Sequence, residues 1–409
     1  MIMKKILLVD DDIAVTNHLM VALMQTEEYE PTVLNDSREV AGVLDNEKFD
    51  VMLLDMDMPY LNGLDIIKHV SKHEIDVPII VLTGVADVDM AVESLKLGVF
   101  DYLTKPVEDV HLLGIIGKAI KSNEVNTSIN QLPSELNRDD LEHKEVFDEL
   151  SSQAPSMVRL YHEADKMSEG DMNIFIYGEM GTGKTSIAKA IHKASNRSDK
   201  PFFAIDIGIH KPDELAALLF GTSSEHGDDI TETRGLLESA DGSTLFINNI
   251  DLLPSPLQIR LDRVIHSKEF YRESSAKIHK LDVRIIAASV YDLSCDSHAT
   301  SFSRDLISHI KVNSLRIPPL REHKEDIPRL AQEILVIESK NIGKKIEGFK
   351  PRYIELLLNY DYPGNTQELH DVIVTSIHNT DKSMVGIDSL AHHMRVIMKS
   401  GDRKVPKNR

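Results

Sequence analysis

Short apolar runs alternate with amphipathic stretches along residues 1–121. Strands that alternate with helices at this interval are typical of a parallel sheet covered by helices on both faces. The predicted strands are Ile6–Val9, Pro31–Leu34, Val51–Leu54, Ile79–Leu82 and Val99–Leu103. We therefore expect a first α/β domain over residues 1–121.

A polar stretch separates this domain from a second alternating region. Residues 122–152 predict a linker that carries one helix around Leu141–Leu150. Strand and helix patterns resume over residues 153–320, which predicts a second α/β domain. Apolar residues then recur at helical spacing only over residues 324–381, which are expected to be wholly helical and to form a small subdomain over residues 321–381.

Length and composition limit the class of protein. A chain of 409 residues is too long for one ordinary domain. No apolar run approaches the ~20 residues of a membrane span, and the apolar stretch before Asp10 is too short for a signal peptide. A single cysteine, Cys295, excludes a disulfide framework and a cysteine-based zinc site. We predict a cytoplasmic protein without a membrane segment.

The charge distribution argues against a DNA-reading surface. The net charge is −20, whereas a duplex-binding surface needs clustered lysine and arginine. Residues 382–409 are predicted to hold one short helix near Ile387–Met398, which is too little for a helix-turn-helix reader. The chain ends in a basic cluster of Arg403, Lys404, Lys407 and Arg409. This tail is either solvated or a weak electrostatic anchor for nucleic acid, and direct sequence-specific DNA binding is not expected.

Chemically distinctive side chains of the first domain stand where its predicted strands end. The carboxyl ends of parallel strands meet at one edge of a sheet. The side chains are Asp10, Asp11 and Asp12 after the first strand, Asp55 after the third, Thr83 after the fourth and Lys105 after the fifth. Crowded carboxylates repel one another, so the pocket needs a divalent cation, and oxygen ligands favour Mg²⁺. One carboxylate would then attack a phosphoryl group whose charge Lys105 neutralises. The residues alone also allow a solvated turn at the three consecutive aspartates.

These positions resemble the response-regulator receiver domain of two-component signalling over about residues 3–121. The matching segments are Leu8–Asp11, Asp55–Pro59 with Gly63, Thr83, and Asp101–Pro106. The resemblance implies a flavodoxin-like fold, with a histidine kinase as phosphodonor. The residue roles that it implies are phosphoacceptor for Asp55, Mg²⁺ binding for Asp10, Asp11, Asp55 and the backbone carbonyl of Asp57, phosphoryl contact for Thr83 and Lys105, and aromatic switch for Tyr102.

A glycine-rich loop with Walker A spacing, Gly178–Thr185, predicts a phosphate site in the second domain. A predicted strand precedes the loop and a helical pattern follows it, which is the context that this motif requires. Its glycines, Gly178, Gly181 and Gly183, would let backbone N–H groups wrap the phosphates at a helix N-terminus. Lys184 would reach the β- and γ-phosphates, and Thr185 would bind Mg²⁺. The predicted ligand is ATP or ADP, and the alternative is a glycine-rich turn without a ligand.

Further segments of the second domain resemble the AAA+ domain of sigma-54-dependent activators of the nitrogen-regulator (NtrC) type. The segments are Ser239–Ile247, Asp282–Ser289, Ile317–Glu322, Glu325–Pro328 and Tyr362–Asn365. A receiver followed by this domain is the usual order of that family. The resemblance covers about residues 153–381 and implies an AAA+ P-loop α/β domain with a small helical lid.

Residues that this family uses for cleavage are replaced. The strand that ends Asp-Glu in the family ends here in Asn248 and Asn249, and an asparagine cannot act as a general base. Asp251 is near, but the motif register places it in the following loop. The other replaced positions are Ser303 and His309 for the finger arginines, Gln367 for the lid sensor arginine and Val290 for the first sensor asparagine. Loss of an arginine finger alone typically costs ~10³–10⁵ in rate.

The loop with which the family contacts sigma factor is replaced as well. The segment Thr222–Arg234 is polar, acidic and shorter, and it has no aromatic tip. We therefore predict a phosphorylation-dependent response regulator whose second domain binds nucleotide, is hydrolysis-deficient and acts as a regulatory module toward an unknown protein. The alternatives are an active sigma-54-dependent transcriptional activator with ATPase activity, and a domain that modulates rings of intact relatives. A homodimer or a higher oligomer stays open.

Overall fold

The structure is a computed structural model that describes residues 3–73, 75–84, 99–130, 136–226, 229–272, 278–293 and 302–390. The chain divides into two compact units. The first comprises Met1–Gln131 and Asp296–Asn313, and the second comprises Leu132–Cys295 and Ser314–Arg409. The basic cluster of the tail and most of the predicted last helix lie outside the described residues.

The first unit is built on a parallel five-stranded sheet with the strand order β2-β1-β3-β4-β5. Its strands are β1 (Lys4–Val9), β2 (Tyr29–Leu34), β3 (Val51–Asp55), β4 (Ile79–Thr83) and β5 (Asp101–Thr104). Its first helices are α1 (Ile13–Met24), α2 (Val40–Asn46), α3 (Gly63–Lys72) and α4 (Asp109–Asn130). This architecture confirms the predicted doubly wound α/β fold.

Continuous apolar runs form the inner strands because helices cover both faces of the sheet. In β1, Leu7 and Val9 pack into the core on one face. Ile6 and Leu8 pack into the core on the other face, as the alternation of side chains along a strand requires. The carboxyl ends of the strands are thereby held rigidly at one edge of the sheet.

The stretch predicted as a linker differs from the prediction at both of its ends. Helix α4 continues to Asn130, since an established helix elongates at little cost, and the stretch therefore begins inside a helix. The helix predicted around Leu141–Leu150 is a single turn, α5 (Lys144–Phe147). The guanidinium of Arg138 donates to the carbonyl of Phe147 and, at 2.6 Å, to that of Ser152, so the last carbonyl of α5 is bound outside the helix.

The second unit contains a parallel sheet followed by a helical subdomain. Its strands are β6 (Ile174–Tyr177), β7 (Phe202–Asp206), β8 (Thr222–His226), β9 (Asp229–Thr233), β10 (Thr244–Asn248), β11 (Glu269–Tyr271), β12 (Ile278–Lys280), β13 (Arg284–Ser289), β14 (Asn313–Arg316), β15 (Gly348–Phe349) and β16 (Met384–Val385). Of these, β14 begins at the boundary between the two units. The remaining helices of the chain are α6 (Pro155–Ser168), α7 (Lys184–Lys193), α8 (Pro212–Phe220), α9 (Leu236–Ser239), α10 (Ser255–Ser267), α11 (Arg304–Ile310), α12 (Ile327–Ile342), α13 (Pro351–Leu358) and α14 (Asn365–His378). The main sheet has the order β14-β6-β13-β10-β7, and α11 belongs to the first unit.

The helical subdomain is less purely helical than its apolar spacing predicts. Helices α12, α13 and α14 enclose one core, in which Ile327, Leu357 and Leu369 are buried. The two-residue strands β15 and β16 pair in parallel beside them, and this pairing corrects the prediction of a wholly helical stretch. Such short strands leave no periodic signal. Within the residues that the structure describes, none of the helices combines the length and apolar character that crossing a membrane requires.

Candidate functional site

Strands β1 and β3 bring three carboxylates together at the carboxyl edge of the first sheet. Asp10, Asp11 and Asp55 each offer an oxygen, and these oxygens all lie within 4.8 Å of one another. Asp10 and Asp55 are buried, with 2% and 5% exposure, whereas Asp11 is exposed. Carboxylate oxygens at this spacing, open to solvent on one side, fit a hard divalent cation such as Mg²⁺.

Lys105, which follows β5, places an ammonium between two of these carboxylates. Its Nζ lies 2.5 Å from Oδ2 of Asp10 and 2.5 Å from Oδ1 of Asp55. Burial disfavours the charged amine, but the hydrogen bonds to Asp10 and Asp55 and their charges outweigh it, so the pKa of Lys105 is raised above its usual value. The lysine therefore remains charged and compensates part of the negative cluster.

The third consecutive aspartate has a structural role. The side chain of Asp12 accepts hydrogen bonds from the backbone N–H groups of Ala14 at 2.8 Å and Val15 at 3.4 Å, and so caps α1. The backbone N–H of Asp57 donates to Oδ2 of Asp55 at 2.9 Å. Thr83 is half-buried at the end of β4, on the same edge of the sheet. The roles assigned to Thr83, Asp57 and the other site residues remain predictions.

The predicted switch residue contacts a helix from much later in the chain. The hydroxyl of Tyr102 donates to Oδ1 of Asp305 at 3.2 Å, and α11, which carries Asp305, clusters within the first unit. Nε2 of His309, on the same helix, lies 3.8 Å from Oδ1 of Asp101. Ser303 caps α11 by accepting from the N–H of Leu306. Both predicted finger positions are thus engaged in the first unit.

The glycine-rich loop of the second unit has the backbone of a phosphate cradle. Gly181 and Gly183 adopt φ values of 78° and 94°, which glycine accepts without strain, and Gly183 opens α7. Lys184 is buried, and its Nζ donates to the carbonyls of Gly178 at 2.7 Å and Glu179 at 3.0 Å. The loop therefore presents a helix N-terminus and an amine at one place.

Burial lowers the pKa of Lys184 below its usual value, and the charges of Asp251, Asp206 and Glu179 oppose this shift in part. A bound phosphate would supply the missing negative charge. The amine is therefore poised to exchange its loop carbonyls for an anion.

The helical subdomain closes on this loop. Arg321 forms a two-pronged pair with Glu179, with N–O distances of 2.8 and 2.6 Å. Asn365 donates to the carbonyl of Met180 at 2.9 Å, and a Cβ placed on Gly181 would lie 2.1 Å from the carbonyl oxygen of Gly364. The predicted sensor position, Gln367, is exposed and donates to Asp371 at 3.2 Å.

The end of β10 carries amides that bind a carboxylate of the neighbouring strand. Asn248 donates through Nδ2 to Oδ2 of Asp206 at 2.6 Å, and Asn249 donates through Nδ2 to Oδ1 of Asp206 at 2.7 Å. Asp206 ends β7 and pairs in register with Asn248. Our sequence reasoning missed Asp206, although the strand-end rule that found Asp55 would have found it. Asp251 lies in a short turn after β10, and Val290 directly follows β13.

Family comparisons cover nearly the whole chain. Residues 6–117 match the response regulator receiver domain, residues 150–316 match the sigma-54 interaction domain and residues 321–406 match the AAA+ ATPase lid domain. The chain is similar to the transcriptional regulatory protein ZraR of Escherichia coli (strain K12), with 31% identity over 91% of this chain and 82% of ZraR.

A second relative and a solved structure are also similar to most of the chain. The alginate biosynthesis transcriptional regulatory protein AlgB of Pseudomonas aeruginosa is 32% identical over 94% of this chain and 84% of AlgB. The crystal structure of NtrX from Brucella abortus in complex with ADP covers 96% of this chain and 85% of NtrX, with a TM-score of 0.55 and 22% identity, and so supports the fold. The chain therefore belongs to the NtrC-type response regulators, which join a receiver domain to a sigma-54 interaction AAA+ domain.

Proposed function

We propose that the chain is a phosphorylation-dependent regulator whose second domain binds ATP or ADP, hydrolyses it poorly and acts as a binding module toward another protein. The observation that carries this proposal is the end of β10. There, Asn248 and Asn249 replace the carboxylates of the family beside an intact phosphate loop. The chain thus combines a receiver domain that has the residues for phosphoryl transfer with a nucleotide site that lacks the residues for hydrolysis.

The geometry at Asp55 supports phosphoryl transfer from a histidine kinase. A carboxylate oxygen of Asp55 would attack the phosphorus, and the bond from phosphorus to the kinase's histidine nitrogen would break. Asp10, Asp11 and Asp55 would hold Mg²⁺, which when bound neutralises charge on the phosphoryl oxygens. Lys105 already bridges Asp10 and Asp55 and would bind the phosphoryl oxygens.

The loop at Gly178–Thr185 supports nucleotide binding. Its glycines in the left-handed region and the buried Lys184 form a cradle for phosphates. Two crystal structures of NtrX, which has the same fold, are complexes with ADP and with ATP. We infer that adenine nucleotides are also the ligands of this chain, with Thr185 as the Mg²⁺ ligand.

Three features support weak hydrolysis. Neither Asn248 nor Asn249 can take a proton from water, because amides are not basic. Ser303 and His309 carry no arginine guanidinium to stabilise a transferring phosphoryl group. Gln367 on the lid bonds to Asp371 and offers no cation either. The competing function is that of an active sigma-54-dependent activator. Membership of the NtrC-type family favours this function.

A nucleotide assay separates these two functions. We expect the full chain to bind a fluorescent ADP analogue and to release phosphate from Mg²⁺–ATP far below ~1 s⁻¹, the low end of ordinary enzymes. Turnover at or above that rate would establish the active ATPase. A family member that keeps the Asp-Glu pair and the finger arginines, assayed in parallel, controls for an assay that is merely insensitive.

A labelling assay tests the receiver. We expect acetyl phosphate with Mg²⁺ to add one phosphoryl group to the wild-type chain, detected by intact mass. The variant Asp55→Asn should show none, whereas Asp45→Asn, at an exposed position of α2, should be labelled like the wild type. Labelling of Asp55→Asn at the wild-type level would refute the assignment.

A further inference from the structure

The negative charge that β10 lacks is present one strand away. Asp206 ends β7, and its carboxylate accepts from Asn248, from Asn249 and, at 2.9 Å, from the backbone N–H of Gly208. All three donors are neutral. None of the contacts described for this carboxylate involves a cationic side chain.

These bonds fix which way the two amides face. An amide that binds a carboxylate must present its NH₂ group, so its oxygen points elsewhere. Oδ1 of Asn248 is buried and has no hydrogen-bond partner among the described residues, and the same holds for Oδ1 of Asp251. Buried acceptors without partners are costly, so each of these two oxygens has the capacity to bind a further partner, such as water or an ion.

The backbone after β10 is also held in an unusual state. Asn249 adopts φ 54° and ψ 45°, in the left-handed region. Asparagine tolerates this region better than most residues, but such conformers persist only where surrounding contacts fix them. Its side-chain bond to Asp206 is such a contact. The carboxylate therefore fixes both the backbone and the side chains at the end of β10.

We propose that Asp206 is a positioning residue of the nucleotide site, which supplies the negative charge that β10 has lost and keeps the oxygen of Asn248 available to a Mg²⁺–nucleotide. Oδ1 of Asp251 is a second open acceptor. Amide and carboxylate oxygens suit Mg²⁺. The charge of Asp206 also acts on Lys184, which connects this carboxylate electrostatically to the phosphate loop. The inference rests on the proposed binding of nucleotide, and it makes that binding dependent on Mg²⁺.

The test is the affinity of the full chain for a fluorescent ADP analogue, measured with Mg²⁺ and with EDTA. We expect Mg²⁺ to tighten binding to the wild type, and Asp206→Asn to reduce this gain by about tenfold, as loss of a residue that orients metal ligands typically does. The exposed control Asp213→Asn, in the first turn of α8, should keep the full gain.

A double variant that exchanges the carboxylate and the amide decides whether Asp206→Asn acts through the position of the Asn248 oxygen or only through lost stability. Asn248→Asp alone sets two carboxylates against each other and should weaken binding, whereas Asn248→Asp combined with Asp206→Asn restores a carboxylate–amide pair and should recover the Mg²⁺ gain. A double variant no better than either single one, or an Asp206→Asn variant with the wild-type gain, would overturn the inference.

Two further outcomes are kept apart by design. If Asp206→Asn does not fold, as judged by thermal unfolding, Asn248→Ala tests the oxygen that Asp206 is proposed to position. This variant removes the free Oδ1 and leaves the carboxylate of Asp206 in place. Loss of the Mg²⁺ gain in that variant supports the proposal, and an unchanged gain contradicts it. Failure of the wild type to bind the analogue at all would instead refute the proposed nucleotide binding.

Discussion

The two proposed phosphate sites of this chain have opposite distributions of charge. The receiver site concentrates carboxylates at Asp10, Asp11 and Asp55 and compensates them with one lysine. The nucleotide site concentrates backbone N–H groups and Lys184, and its nearest strand ends in amides rather than carboxylates. The first site has an excess of negative charge and needs a cation, whereas the second is built to receive an anion.

The chemistry at the end of a strand depends on the neighbouring strands of the sheet. Asp55, at the end of β3, belongs to a cluster of carboxylates because the neighbouring strand β1 is followed by Asp10 and Asp11. Asn248 lies beside Asp206 of β7, and this carboxylate provides the negative charge that the end of β10 lacks. Variants at the two sites test this contrast between a cluster of carboxylates and a loop proposed to bind an anion.

Lys105→Met removes the cation that compensates the receiver cluster. Breaking a buried ion pair leaves uncompensated charge, so we expect the metal-free chain to lose about 3 kcal/mol of unfolding free energy. Because the same cluster then lacks its competitor, Mg²⁺ should restore more stability to the variant than to the wild type. Denaturant unfolding with EDTA and with Mg²⁺ measures both effects. The exposed Lys48→Met is the control, and equal losses in both variants would contradict the cluster's role.

Lys184→Met tests the opposite site by removing its amine. Hydrogen bonds to charged groups contribute about 1.5–3 kcal/mol, so we expect affinity for a fluorescent ADP analogue to fall by roughly 30-fold. The stability of the unliganded chain should change less, since burial disfavours the charged amine and offsets its bonds to the two loop carbonyls. The control is Lys189→Met, exposed on the same helix. Unchanged affinity would show that the loop binds no phosphate.

Sequence reasoning identified the strands and strand ends because apolar runs and the parallel-sheet rule are local signals. It missed Asp206 because the strand-end rule was not applied to β7, and the pairing of β7 with β10 depends on the sheet order, which no local pattern records. It did not identify Asp12 as a helix cap, since a helix cap and a metal ligand use the same side chain. It missed the pair β15 and β16, whose strands are too short to carry a period.

A matched glycine pair sharpens the description of the nucleotide loop. Gly181→Ala and Gly183→Ala both place a side chain at positive φ, which costs roughly 1–2 kcal/mol. Only the Cβ at Gly181 would meet the carbonyl oxygen of Gly364, whereas that at Gly183 meets nothing within 4 Å. We expect Gly181→Ala to destabilise the chain more and to make the lid residues exchange amide hydrogens faster. Equal effects from the two variants would show that the lid does not press on the loop.

The smallest effect concerns the pair that joins loop and lid. The hydrogen bonds from Arg321, opposed in part by burial, lower the pKa of Glu179 below its usual value. A lowered folded-state pKa contributes stability above the unfolded-state pKa of about 4.3, and this contribution is lost as the pH falls through the folded-state value. Both side chains are about one third exposed, so solvent screening limits the contribution to about 1 kcal/mol or less. Glu179→Gln should therefore be less stable than the wild type at pH 7, and the difference should shrink below about pH 4. Denaturant unfolding at both pH values measures this change, with the exposed Glu214→Gln as the control. A difference that stays constant with pH would mean that the charge of Glu179 does not stabilise the closed lid.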